Sequence, residues 1–187
     1  RLLHAANIMA QYLDNDEDGE VDNDDVLNAM LESNAFMVMW KSQSDLIFLS
    51  PPDGMEGQDL GNDETIIDWH LNGQEGQFDA SLEEVLHLIT HAGYANAYPE
   101  VFSEIQGSEL CNAMDIARGG QFFEIPFQYS EEAWYHYDDA TCEYDCMATE
   151  YIYWALTSML GAQSNRGGEI GYEWELHTPE LVEETDV

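Results

Sequence analysis

The residues best suited to chemistry lie in one short stretch. Residues 14–25 read DNDEDGEVDNDD, with Asp14, Asp16 and Asp18 at alternate positions ahead of Gly19. Carboxylates spaced by two along a turning chain can converge on a hard cation, which takes roughly six to eight oxygen ligands. Gly19 falls where the chain must turn sharply, and Val21 can direct an apolar side chain inward. The competing reading is an acidic, solvated turn in a chain already rich in aspartate.

Counted as positions 1, 3, 5, 6, 7, 9 and 12 of a twelve-residue loop, these residues resemble the EF-hand family. The flanks agree. Ile8, Met9, Tyr12 and Leu13 recur at helical spacing before the loop, and Val26, Leu27, Met30 and Leu31 do so after it. A helix–loop–helix is expected over residues 2–33. The resemblance implies a Ca2+ site formed by Asp14, Asp16, Asp18, Glu20, Asp22 and Asp25. Asp25 stands where the family has Glu, and a side chain one methylene shorter reaches an ion less easily with both oxygens. Affinity, or the choice between Ca2+ and Mg2+, should change accordingly. No second loop follows to pair with the first. The apolar faces carrying Met9, Leu13, Leu27 and Met30 are therefore expected to pack on the body of the chain, on a partner protein or on another copy.

A second constellation lies in residues 81–94, SLEEVLHLITHAGY. At about 100° per residue, Leu82, Val85, Leu86 and Ile89 make a core face, and Glu83, Glu84, His87, His91 and Tyr94 gather on another arc. His87 and His91, four apart on a helix, can share a metal ion. The stretch is similar to the active-site helix of the zincin metallopeptidases, in which a Glu follows the first His. Leu88 occupies that position here, so the group that activates a zinc-bound water is missing. Glu83 or Glu84 would have to serve as an unorthodox base. Ser81 and Glu84 also fit a capping box that only closes the helix start, and a His pair on a solvated face needs no metal at all.

The zincin resemblance implies a third zinc ligand from a later helix, as in the gluzincin branch, and Glu150 fits that place. The apolar segment 147–160 (MATEYIYWALTSML) has Glu150 as its single charge. A buried carboxylate is neutralised, paired or metal-bound. Tyr153 and Thr157 share its side, and Tyr153 could hydrogen-bond a ligand. A first-turn glutamate facing water and favoured by the helix dipole is the alternative.

Composition sets the outer bounds. The 187 residues carry 39 Asp and Glu against 4 Lys and Arg (Arg1, Lys41, Arg118 and Arg166), a formal charge of −35. Nucleic acid is excluded as a partner because phosphate binding needs a basic surface, and anionic membranes are disfavoured for the same reason. Divalent cations, basic partners or a high-salt setting remain, with self-repulsion eased by bound cations or screening. At 44% hydrophobic the chain can build a core. No apolar run reaches the ~18 residues of a membrane span. The absence of a signal-peptide pattern suits a processed secreted protein, and charge and motif together point outside the cell. Cys111, Cys142 and Cys146 allow one disulfide and a leftover thiol, in a pairing the sequence leaves open; Cys142 and Cys146 could instead bind a soft metal or bridge to Cys111. His136, Asp138 and Asp139 could form a second oxygen-rich cation site, or only an aromatic, acidic surface loop.

The elements needed to position these groups read as α+β. Residues 35–49 give two short strands around a polar turn, 51–63 a loop, and 65–71 with the Asn72-Gly73 turn a strand pair. Helices are expected over 81–91, 108–117 and 147–160, the last closed by Gly161, and a strand over 169–176. The expected architecture is an EF-hand-like helix pair, 1–34, packed on a zincin-like α+β domain, 35–187. Function divides between an acidic extracellular calcium-binding protein with a degenerate peptidase-like body, an active zinc hydrolase using His87, His91 and Glu150, and a non-enzymatic matrix or assembly protein that collects Ca2+.

Overall fold

The computed structural model describes residues 1–42, 44, 45 and 54–187. Helices dominate and a single two-stranded sheet accompanies them among the described residues, an α+β arrangement. The chain divides into two compact units, Arg1–Ala97 and Tyr98–Val187.

The first unit starts with helix α1, Leu2–Leu13, which buries Ala5 and Ile8 and packs against α4, Ser81–Leu88. After the acidic loop comes α2, Asp24–Glu32. Asn23 caps it by accepting the Val26 N–H at 3.2 Å, and Asp24 and Asp25 lie in the first turn, where the helix dipole favours negative charge. Val26 and Met30 turn inward on the opposite face. They meet Gly93, where an added Cβ would sit 2.7 Å from Val26 Cγ1. Only glycine lets these two segments approach so closely.

Strands β1, Phe36–Trp40, and β2, Gly57–Gly61, pair in parallel from Phe36↔Gly57 to Trp40↔Gly61. β1 realises the first of the two strands expected over 35–49; the second falls on 46–49, outside the described residues. β2 lies inside the segment read as a loop, because a partner strand can recruit a sequence as poor in strand formers as GQDLG.

Three further expectations are corrected. Residues 65–71 do not form a strand: Ile67–Leu71 is helix α3, anchored by Trp69, which is 2% exposed. The β-branched pair Ile66-Ile67 suggested a strand, but burial of the Trp69 indole decided the outcome, since packing overrides local propensity. The helix from Ser81 does not run as regular α to His91. It passes at Ile89 into a π-helical segment, Ile89–Tyr94, followed by α5, Ala95–Ala97. The proposed capping box is also absent, because Ser81 lies inside the helix and bonds backward to Asp79, while Glu84 accepts from Gln58 Nε2 at 2.5 Å.

The second unit contains α6, Pro99–Phe102, and α7, Glu109–Ala117, whose Ser108 cap accepts the Cys111 N–H. The long α8, Tyr144–Met159, follows, with Gly161 at φ +78° just past its end. Then come α9, Gly167–Ile170, and α10, Pro179–Thr185. The strand expected over 169–176 is therefore replaced by a short helix and an isolated antiparallel bridge between Tyr135 and Trp174. The core is aromatic. Tyr135 and Trp174 are fully buried, and their rings lie about 6 Å from each other and from Tyr151, close enough for edge contacts. Each polar tip has a partner: Tyr135 donates to the Met147 carbonyl at 2.9 Å, Trp174 to Ser158 Oγ at 3.0 Å, and Tyr151 to Asp186 at 2.9 Å. Cys142 and Cys146 form a disulfide and Cys111 stays a buried thiol, so the bridge to Cys111 does not form. Residues four apart at a helix start already have suitable Cα separation, here 5.4 Å.

Candidate functional site

The acidic loop is built by its own side chains. Asp14 follows α1, and its carboxylate accepts the N–H of Asp18 at 3.1 Å and of Gly19 at 2.9 Å. Asp16 accepts the Asp18 N–H at 3.2 Å, and Asp18 the Glu20 N–H at 2.8 Å. These short-range bonds fold the chain around the carboxylates. Gly19 takes φ +90°, a conformation disfavoured for residues bearing a Cβ. Across the loop, Asp22 N–H donates to the Leu13 carbonyl at 2.9 Å, tying the end of the turn back to α1.

The consequence is that Asp14, Asp16 and Asp18 each place one carboxylate oxygen within 4.8 Å of the others. Three anionic oxygens this close repel one another, and an oxygen-only donor set is of the kind a hard divalent ion takes. Asp22 commits one oxygen to Asn15: its Oδ2 accepts the Asn15 backbone N–H at 2.7 Å and the Asn15 side-chain amide at 3.1 Å. Those bonds, backbone first, hold its carboxyl below the ordinary range. Glu20 is exposed, and Asp25 lies in the first turn of α2.

The histidine-bearing helix is arranged differently. His87 is buried, with Nδ1 3.7 Å from Glu84 Oε2. His91 is exposed in the π-helical segment. Among the described residues, no group of three ligand atoms within 4.8 Å includes His91. Glu83 lies in the first turn of α4. Glu150 and Tyr153 belong to α8 of the second unit. Glu150 lies beside Tyr137, whose hydroxyl is pushed up by burial first and then by the charges of Glu150 and Glu173. Tyr153 is fully buried and accepts Gln163 Nε2 at 3.1 Å.

One group escaped the sequence reading. His4, His70 and Asp79 also bring three ligand atoms within 4.8 Å of one another. No local spacing signals it, because the three residues come from α1, from α3 and from the turn before α4.

No protein-family model, curated protein or solved structure matches the chain.

Proposed function

We propose that this chain is an acidic calcium-binding protein in which residues 14–25 hold one Ca2+ as a structural ion of the EF-hand type. The observation that carries the reading is the convergence of Asp14, Asp16 and Asp18 around a glycine turn between two helices. In this reading those three carboxylates contact the ion directly. Glu20 contributes its carbonyl, Asp22 acts through water, and Asp25 closes the sphere from the start of α2. The ion offsets a local excess of negative charge in a chain of formal charge −35 and fixes the end of α1 against the start of α2.

A non-catalytic role is preferred to hydrolysis at His87, His91 and Glu150. Leu88 stands where a water-activating Glu would be needed, and His87 is buried while His91 is exposed. The Cys142–Cys146 disulfide favours an oxidising, extracellular setting.

The test is thermal unfolding of metal-stripped protein with and without calcium. At free calcium about 100 times the Kd, linkage predicts stabilisation on the order of 3 kcal/mol, abolished by the double substitution Asp14→Asn and Asp16→Asn. An identical melt in chelator and in millimolar calcium would refute the assignment.

A further inference from the structure

Asp79 is fully buried, and its two oxygens do different work. Oδ1 is engaged entirely by the protein: it accepts the Ile66 N–H at 2.9 Å, the Ser81 N–H at 3.3 Å and the Ser81 hydroxyl. Oδ2 faces two imidazoles. His4 Nε2 lies 2.6 Å from it and His70 Nε2 2.7 Å, hydrogen bonds that both rings would exchange for an ion by drawing slightly apart. The rings stand edge to face, with centroids 5.2 Å apart, so the same nitrogen of each aims at one oxygen. Trp69 fixes the orientation of His70 from the other side, with its ring 5.1 Å away and perpendicular.

From this geometry we infer that His4, His70 and Asp79 form a binding site for a divalent first-row transition metal, distinct from the acidic calcium loop. The donor set decides the class of ion. Two imidazole nitrogens and one carboxylate oxygen suit zinc or iron(II), whereas calcium and magnesium prefer oxygen throughout. Three protein ligands leave coordination positions for water or another small ligand, as in catalytic zinc sites and two-His-one-carboxylate iron sites. The His70 side chain is 33% exposed, which gives such a ligand a route in. The bonds to Oδ1 supply the outer support a metal-binding carboxylate needs, leaving Oδ2 directed at the ion.

Charge favours the same conclusion. A buried carboxylate requires compensation. A dication held by all three groups supplies it directly, in place of the hydrogen bonds from the two rings. It would also join α1, α3 and the turn before α4 at a single point, linking residues 75 apart in sequence.

The probe is Zn2+ alone, titrated calorimetrically into metal-stripped protein with millimolar Ca2+ present to occupy oxygen-only sites. The expected result is one zinc per chain at micromolar Kd or tighter. Affinity should fall at least 100-fold in His4→Gln and in His70→Gln and stay unchanged in the Asp14→Asn, Asp16→Asn double variant. Circular dichroism confirms that the histidine variants are folded. A second readout needs no variant: bound zinc should protect His4 and His70 from diethyl pyrocarbonate, mapped by mass spectrometry. The inference is overturned if no zinc binds, if both histidine variants bind as the parent does, or if both histidines remain equally reactive with zinc present. The zinc readouts depend on none of residues 14–25, and the calcium melt on none of His4, His70 and Asp79, so failure here is distinguishable from failure of the calcium loop.

Discussion

The backbone N–H of Gly19 donates to Asp14 Oδ2 at 2.9 Å, so the first carboxylate of the loop fastens the turn that brings the others to it. In the proposed calcium site, ligand and scaffold are the same residue. Whatever disturbs the turn should therefore disturb cation binding as well.

Gly19→Ala tests that coupling. At φ +90° an added Cβ meets nothing within 4 Å, so the cost is torsional and not steric, about 1–2 kcal/mol. The calcium-dependent part of the melting temperature should shrink, and the melt in chelator should fall by no more than that torsional cost. Differential scanning calorimetry with and without calcium separates the two quantities.

Arg118 is fully buried in the second unit, although the chain has only 4 Lys and Arg. Its guanidinium donates to the Phe122 carbonyl at 2.8 Å and lies 5.3 Å from the Phe122 ring centre and 5.6 Å from that of Tyr129. Arg118→Ala would remove two cation–π contacts and two hydrogen bonds, to the Phe122 carbonyl and the Tyr129 hydroxyl, and leave a cavity. A loss on the order of 3 kcal/mol is expected. Arg118→Lys should recover only part of it, because an ammonium lacks the planar fork. Urea unfolding of the three proteins measures both losses.

Glu173 sets a pH dependence. Burial pushes its carboxyl up to about 7 from an ordinary 4.5, against the Trp154 indole N–H, which lowers it, and with the charges of Glu150 and Asp138 adding to the rise. The fold thus favours the protonated form. The stability this group contributes is complete below about pH 4.5 and is lost as pH rises through about 7. Because water still reaches the carboxyl, the screened effect should be on the order of 1 kcal/mol. Glu173→Gln, which keeps the bond from Trp154, should flatten the stability profile between pH 5 and 8. An unchanged slope in chemical denaturation would assign that dependence to other carboxylates.

How much was legible in the sequence depended on distance along the chain. The helix–loop–helix over 2–33 could be read directly, because helical spacing, the turn glycine and the alternating carboxylates all act within a dozen residues. The helices expected over 108–117 and 147–160 are present as 109–117 and 144–159, the second marked by continuous apolar character with a closing Gly161. Where local preference competed with packing, the reading failed. Ile66 and Ile67 looked like strand, yet burial of Trp69 made a helix; GQDLG looked like loop, yet pairing with β1 made a strand.

The sequence alone therefore determined the acidic loop, its turn and its flanking helices, since each depends on backbone geometry and neighbours a few residues away. Only the tertiary structure decided which cysteines pair, where the π-helical segment falls, and that His4, His70 and Asp79 meet. Those outcomes depend on which side chains are buried together, and burial depends on contacts between residues far apart in the chain, which no local spacing encodes.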